Sequence, residues 1–168
     1  MVITKDYQDI KPVLMEPGRI YVKEPYYVIK SNNQIIFVLS SGLNGLEFNK
    51  TEGFFSNHPL SLYYRCLFGQ GLILMQRNDE QGEVKEFKLT TLNPGKQVTL
   101  PSGWAFCLVN IGKNLLVVLG NRDLDPKEMD SKPIFEKKGL AYYVIEKKGE
   151  VSFEANPNYS VHPQITSE

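Results

Sequence analysis

The sequence predicts an all-β single domain, built as a closed barrel or a sandwich with short helical turns. Short runs rich in β-branched and aromatic residues recur along the chain, as at residues 26–29, 35–39 and 115–119, and Gly, Asn and Ser separate them. Helical periodicity is weak, and only residues 123–130, with Pro126 near their start, suggest a helical turn. Many short strands with few helices favour a barrel or a sandwich.

Two parts of the chain are predicted to form hairpins. Residues 72–76 and 83–89 flank a polar turn at residues 78–82. Residues 142–146 and 151–154 flank a second short turn that contains a glycine. Each pair of strands should therefore lie antiparallel.

Composition excludes several classes of function. Formal net charge is zero, so no basic excess attracts a nucleic-acid backbone. No apolar run approaches the roughly 20 residues that span a bilayer, and the polar first residues indicate no secretory signal. The two cysteines, Cys66 and Cys107, are too few for a disulfide scaffold, which points to a reducing cytoplasm.

The segment from Gly95 to Asn110 gives the most specific signal. Its order is glycine, five residues, Pro101, one residue, Gly103, two residues, Phe106, three residues and asparagine. These spacings are those of the second motif of the cupins, in which a histidine stands where this chain has Phe106. The proline and glycine predict a tight corner, after which the chain re-enters the barrel and Phe106 points into the pocket.

A longer stretch, roughly residues 34–159, resembles one cupin family, the archaeal-type cupin glucose-6-phosphate isomerases. That family has a Thr-Lys-Gly-His-x-His segment, a Glu two residues before a Tyr, a Gly-x-Gly, a Trp-Ala-His segment and a final Asn-Pro-x-aromatic. The corresponding segments of this chain are residues 51–56, 62–64, 69–71, 104–106 and 156–159. The resemblance implies a single-domain cupin barrel.

The resemblance also places the family's four metal ligands on Phe54, Ser56, Leu62 and Phe106 of this chain. Phe and Leu have no donor atom, and a Ser hydroxyl alone is a poor ligand for a first-row divalent metal. The position of Leu62 is that of a Glu which the resemblance implies in proton transfer. We therefore expect no metal, no cofactor and no catalytic residue of the family mechanism.

Two alternatives remain open for the pocket. Phe54, Leu62 and Phe106 could pack together and fill the space of the metal, because a filled barrel is more stable than one with unpaired polar groups. The same substitutions could instead reshape the pocket for a different, less polar ligand.

Some residues on the substrate side of the family pattern are retained. Thr51, Gly53 and Tyr64 match positions that the resemblance places near the sugar phosphate, and a Thr hydroxyl and a Gly amide are reasonable phosphate donors. Another phosphate-side Thr of the family aligns with Ile36 or Phe37, which cannot donate. The resemblance thus implies a sugar-phosphate or other small-molecule ligand.

The remaining reactive side chains look ordinary. His58 and His162 are expected in an exposed loop and an exposed tail. Cys66 should face inward because it lies four residues after Leu62 on a strand, whereas Cys107 should face outward after Phe106. Both cysteines are therefore predicted to be free thiols.

The predicted organisation has three parts. Residues 1–33 supply N-terminal strands that could form a dimer arm, residues 34–160 the barrel, and residues 161–168 a flexible tail. The resemblance implies a homodimer. The predicted function is a non-catalytic binding or structural protein that has lost metal and isomerase activity. The alternative is a sugar-phosphate isomerase that works without the family's metal site.

Overall fold

The computed structural model describes residues 1–167, and β-strands dominate it. Short runs of branched and aromatic residues form these strands, since such side chains pack well on a pleated surface. In the described residues the strands are β1 (Val2–Lys5), β2 (Tyr26–Ser31), β3 (Gln34–Leu39), β4 (Leu43–Asn44), β5 (Glu47–Phe48), β6 (Phe54–Ser56), β7 (Leu62–Phe68), β8 (Gly71–Asn78), β9 (Val84–Leu92), β10 (Gln97–Leu100), β11 (Ala105–Asn110), β12 (Leu116–Gly120), β13 (Met129–Asp130), β14 (Tyr142–Lys147), β15 (Glu150–Ala155) and β16 (Ile165–Ser167).

Helical structure is confined to short segments. The α-helices are α1 (Tyr7–Ile10) and α2 (Lys132–Glu136), and 3₁₀ turns occupy Lys11–Val13 and Pro126–Glu128. The second 3₁₀ turn falls where the sequence predicts one helical turn. Within residues 1–167, no helix is long and apolar enough to cross a membrane.

Two six-stranded sheets enclose the core. The first has the strand order β1-β2-β3-β12-β7-β10, and the second has the order β13-β6-β11-β8-β9-β16. Buried side chains from both sheets, among them Phe37 on β3 and Phe106 on β11, belong to one hydrophobic cluster. The predicted all-β domain with short helical turns is thus confirmed, and both predicted hairpins form, as β8-β9 and β14-β15.

The predicted corner at Pro101 is confirmed as the point where the chain changes sheets. It joins β10 in the first sheet to β11 in the second, and Gly103 has a φ of +83°. A positive φ favours glycine, which has no Cβ to clash with the backbone. After this corner β11 runs through the middle of the second sheet, where all six of its residues are buried.

A third, four-stranded sheet of order β15-β14-β5-β4 covers the outer side of β11. Cys107 and Val109 on β11 line a small gap together with Phe48 on β5 and Tyr142 on β14. Cys107 is only 4% exposed. Cys107 thus lies against the third sheet on the outer side of the strand, and this sheet buries it. The prediction that Cys66 and Cys107 are free thiols is confirmed.

The end of the chain is more ordered than the sequence suggests. Residues 165–167 form β16, which pairs in parallel with β9, so the predicted flexible tail is wrong for this part. The His162 ring lies edge-on to Tyr142 at 5.8 Å, and its Nε2 is 2.6 Å from Asn156 O. These contacts explain why His162 is half-buried rather than exposed. Glu168 lies outside the described residues.

The N-terminal strands complete the first sheet of the same chain. β1 pairs with β2, and β2 pairs with β3, both antiparallel. A capping box at Asp6, whose side chain accepts a hydrogen bond from Asp9 N, starts α1 directly after β1. These strands bring residues 3, 5, 26 and 28 into the lining of a cavity between the two six-stranded sheets.

Candidate functional site

A cavity of about 210 Å³ lies between the two six-stranded sheets. One wall of the cavity comes from the first sheet, through β1, β2, β3 and β7. The other wall comes from the second sheet, through β6, β11 and β13, and from the segment before β6. Its lining comprises Ile3, Lys5, Tyr26, Val28, Lys30, Ile35, Phe37, Thr51, Glu52, Gly53, Phe54, Tyr64, Phe106, Cys107, Leu108, Met129 and Ser131. The sequence left open whether side chains fill the pocket or reshape it. Because this cavity remains, the prediction that side chains fill the pocket completely is wrong.

Phe54 and Phe106 form an aromatic part of the wall of this cavity. They occupy directly paired positions of β6 and β11, and their rings meet edge to face with centroids 6.1 Å apart. Both side chains are buried, at 8% and 2% exposure. Phe54 and Phe106, two of the four positions matched to metal ligands, thus provide an aromatic surface. The family pattern has histidines there, whose imidazole nitrogens bind the metal.

Ser56 and Leu62, the other two positions, are buried but are not part of the cavity lining. Leu62 pairs with Leu100 across β7 and β10. The Ser56 hydroxyl accepts a hydrogen bond from His58 N at 3.3 Å. With one hydroxyl and three hydrocarbon side chains, the four residues do not fit the divalent metal that the resemblance implies.

His58 is the imidazole closest in sequence to these positions, and it differs from the exposed loop residue that was expected. Its side chain is 14% exposed, with Nε2 at 3.7 Å from Glu128 Oε2. Its Nδ1 accepts a hydrogen bond from Leu60 N at 3.0 Å, which holds the ring in the loop. No group of three or more His, Cys, Asp or Glu arranged to hold a metal occurs within residues 1–167.

The three residues predicted on the substrate side, Thr51, Gly53 and Tyr64, all line the cavity. Thr51 Oγ1 accepts a hydrogen bond from Leu108 N at 3.1 Å, which ties this segment to β11. Gly53 has a φ of +85°, and a Cβ there would lie 2.9 Å from Phe106 O. Only glycine fits this position, where the chain passes close to β11 before β6 begins.

Tyr64 projects from β7 into the cavity and is 3% exposed. Its ring packs beside Phe37, with centroids 5.5 Å apart, and lies against Gly120, where a Cβ would meet the ring at 2.9 Å. Burial raises the pKa of the Tyr64 hydroxyl well above its ordinary value. The residue therefore offers a neutral hydroxyl at all ordinary pH values.

Sequence reasoning missed the charged group at the mouth of the cavity. Glu52 Oε1 lies 3.1 Å from Lys5 Nζ, and the Tyr26 hydroxyl donates to Glu52 Oε2. The Glu52 and Lys5 side chains are 13% and 31% exposed, so the pair stands at the edge of the buried region. Little in the sequence indicated this group, because Lys5 and Tyr26 are distant in sequence from Glu52. They reach Glu52 only through the pairing of β1 with β2.

A second ion pair lies at the same mouth. Lys30 Nζ is 2.8 Å from Asp123 Oδ1, with side chains 23% and 31% exposed. The cavity therefore has a polar mouth whose charges are already paired, and an interior of hydrocarbon and aromatic groups.

A buried polar cluster lies behind the cavity, on the outer side of β11. Lys50 Nζ is 2.6 Å from Glu47 Oε2 and donates to Val13 O at 2.7 Å. Burial raises the pKa of Cys107 to about 11, and the Lys50 charge partly opposes that shift. The cluster ties β5 and the N-terminal segment to the barrel, and a thiol held neutral in this way is a poor nucleophile.

Comparison with known proteins gives one family. The family model described as Glucose-6-phosphate isomerase (GPI) matches residues 23–162. The glucose-6-phosphate isomerase of Pyrococcus furiosus is 34% identical over 123 residues, which make up 73% of this chain and 61% of that relative. The matched segment thus spans less than two thirds of the relative's length.

Solved structures show likeness at lower identity. The cupin domain of Drosophila melanogaster CENP-C is 13% identical with a TM-score of 0.44, over 58% of this chain and 66% of that one. Hydroquinone 1,2-dioxygenase from Sphingomonas sp. TTNP3 is 14% identical with a TM-score of 0.41, over 55% and 60%. These two likenesses concern the fold alone.

Proposed function

Because the chain belongs to the glucose-6-phosphate isomerase family, we propose that it is a metal-free, non-catalytic member that binds a small molecule in its barrel. The predicted family and the predicted all-β fold are confirmed. The loss of isomerase activity and the presence of a ligand are the two parts of the proposal.

One observation carries the proposal: the pocket persists while the donor set is absent. Phe54, Leu62 and Phe106 stand at three of the four positions where the family pattern has metal ligands. Isomerisation of an aldose to a ketose needs a base near C1 and C2 and an electrophile at the carbonyl oxygen. With no metal to act as electrophile and Leu62 at the place of the Glu, the family mechanism has neither part.

A cavity of about 210 Å³ nevertheless remains, and it retains Thr51, Gly53 and Tyr64 from the family pattern. A barrel that served only as a scaffold would gain stability by filling this space, since voids forfeit packing contacts. The cavity therefore supports a binding function over a purely structural one.

The second candidate is a sugar-phosphate isomerase that works without the family's metal. The retained substrate-side residues Thr51, Gly53 and Tyr64 favour it. The candidate base nearest the cavity is the Glu52 carboxylate, which is engaged by Lys5 and Tyr26. This engagement speaks against a free base, so we favour the non-catalytic protein.

We further propose that the protein is a homodimer in a reducing cytoplasm. The outer face of the first sheet supports the dimer, because Ile29, Ile36 and Leu119 lie in register on neighbouring strands and are only half-buried. The exposed Tyr27 and Tyr63 extend the same apolar face. The two buried free thiols support the compartment.

An isomerase assay tests the catalytic part of the proposal. Untagged protein is incubated with glucose 6-phosphate alone, with added manganese, iron or nickel, and with a chelator, and fructose 6-phosphate is measured. We expect no turnover above the buffer rate in any condition. Turnover that survives the chelator would favour the second candidate, and metal-dependent turnover would refute the proposed loss of the metal site.

A further inference from the structure

We propose that the barrel cavity binds a small, uncharged ring compound with a single hydroxyl, of the class of monohydroxylated aromatic or alicyclic molecules, and that it excludes phosphates. This inference rests on the proposed binding function and names its ligand class. It follows from the size of the cavity, from its walls, and from which of its polar groups are already engaged.

The walls are those of an aromatic pocket. Phe37, Phe54 and Phe106 line it together with Val28 and Leu108, and each of these side chains is less than 9% exposed. A dry apolar cavity of about 150 Å³ accepts benzene in another protein, so a volume of about 210 Å³ suits one substituted ring. Drug-sized ligands need about 300–1,000 Å³, and thus a larger pocket.

The cations at the mouth are not free to bind an anion. Lys5 is paired with Glu52 at 3.1 Å, and Lys30 is paired with Asp123 at 2.8 Å. The Tyr26 hydroxyl donates to Glu52 as well. A phosphate needs several charge-assisted donors, and here each cation would first have to leave a carboxylate.

Glu52 also places a negative charge at the cavity, at the position where the family pattern has Lys. Nearby hydroxyls donate to protein groups: Ser131 Oγ donates to Gly53 O at 2.7 Å, and Thr51 Oγ1 donates to Cys107 Sγ at 3.9 Å. A negative charge stands where the family pattern has a positive one, and the nearby hydroxyl donors already have partners. Both features disfavour binding of a phosphate dianion relative to a neutral ligand.

Among the hydroxyl groups that line the cavity in residues 1–167, that of Tyr64 is left for a ligand. No hydrogen bond among residues 1–167 involves it, although the residue lies in the cavity wall and is 3% exposed. Its ring is fixed by Phe37 and by the close approach of Gly120. A single oriented hydroxyl between apolar walls recognises one hydroxyl on the ligand, because a buried hydroxyl without a partner is costly.

The experiment compares p-cresol with toluene by ¹H–¹⁵N NMR titration of the full-length protein. We expect both to perturb the amides of residues around the cavity, with p-cresol binding about two- to tenfold more tightly, the value of one hydrogen bond. In Tyr64→Phe this ratio should fall to about one. Tyr63→Phe is the matched control, since Tyr63 lies on the opposite face of the same strand and is 44% exposed, and it should leave the ratio unchanged.

Two further arms keep the test decisive. Val28→Phe should fill the cavity and abolish binding of both compounds. This variant tests the location of the binding site even if Tyr64→Phe does not fold. Glucose 6-phosphate and inorganic phosphate should cause no shifts at the cavity of the wild-type protein, whereas Glu52→Lys should acquire phosphate-dependent shifts there.

The inference is overturned if neither ring compound binds the cavity, if Tyr64→Phe retains the p-cresol preference, or if either phosphate binds the wild-type cavity more tightly than p-cresol. Tight binding of glucose 6-phosphate without turnover would overturn the ligand class and leave the proposed non-catalytic binding function intact. Metal-dependent turnover would refute the proposed function itself.

Discussion

The rings of Phe54 and Phe106 meet edge to face, with centroids 6.1 Å apart, at directly paired positions of β6 and β11. In the family pattern both positions are histidines that bind one metal. The pairing of β6 with β11 holds the two side chains next to each other, so these positions present an aromatic surface in this chain. An aromatic pair of this kind contributes about 0.5–1.5 kcal/mol beyond its burial.

The close approach of Gly53 to β11 predicts a specific effect on stability. Gly53→Ala should destabilise the protein because its Cβ would lie 2.9 Å from Phe106 O and 3.3 Å from Ile134 Cδ1. Gly82→Ala is a matched control with the same φ of +85° and no atom within 4 Å of its Cβ. We expect Gly82→Ala to cost about 1 kcal/mol from backbone conformation alone, and Gly53→Ala at least about 1 kcal/mol more. Urea unfolding measures both values, and equal losses would contradict the account of this contact.

The buried ion pair of Lys50 and Glu47 predicts a large asymmetry between single substitutions. Lys50→Met should cost about 3–5 kcal/mol because it leaves the Glu47 carboxylate, 1% exposed, without its cation. Lys132→Met, at an exposed pair with Glu136, should change the free energy of unfolding by less than about 0.5 kcal/mol. If chemical denaturation gave similar values for the two variants, the pair at Lys50 would not be buried as described.

Buried tyrosines predict a loss of stability at alkaline pH. Burial raises the pKa values of Tyr64, Tyr143 and Tyr159. Above about pH 10 the unfolded chain releases these phenol protons while the folded chain keeps them, so the free energy of unfolding falls as pH rises. The slope for one such group reaches about 1.4 kcal/mol per pH unit.

Tyr64→Phe should therefore flatten this alkaline slope, and urea unfolding between pH 8 and pH 11 measures it. Tyr63→Phe, an exposed substitution on the same strand, is the control. An unchanged slope in Tyr64→Phe would mean that the Tyr64 hydroxyl is accessible to solvent in the folded protein.

The outer face of the first sheet predicts the oligomeric state. Ile36→Lys together with Leu119→Lys should convert the proposed dimer to a monomer, because both charges would fall in the centre of the apolar face. Val151→Lys, which adds a charge at a 39% exposed position on the third sheet, should leave the dimer intact. Light scattering coupled to gel filtration measures the mass. A wild-type protein that is monomeric at micromolar concentration would contradict the proposal.

Much of this fold was predictable from local sequence. The spacing from Gly95 to Asn110 fixes a corner and a strand within 16 consecutive residues, so it predicted that Phe106 points inward. Thr51 and Gly53, which the family pattern carries on one short segment, both line the cavity, and their role toward a substrate stays a prediction.

The features that sequence reasoning missed depend on contacts between distant segments. Strand alternation predicted the outward orientation of Cys107, but it says nothing of the third sheet that packs over this residue and buries it. The group of Lys5, Tyr26 and Glu52 joins three segments whose meeting follows only from strand pairing. The ordered tail, with β16 paired to β9, has no local signal in a polar sequence.

We propose that Phe54, Ser56, Leu62 and Phe106 stand where relatives of this chain bind a metal. A metal titration of the wild-type protein and of a variant with rebuilt ligands tests this proposal most directly. Nickel is titrated calorimetrically into untagged wild-type protein and into a variant that carries Phe54→His, Ser56→His, Leu62→Glu and Phe106→His, with circular dichroism to establish that the variant is folded. We predict no saturable binding by the wild-type protein and one equivalent bound by the folded variant. One equivalent bound by the wild-type protein, or none by a folded variant, would contradict the placement of these four residues.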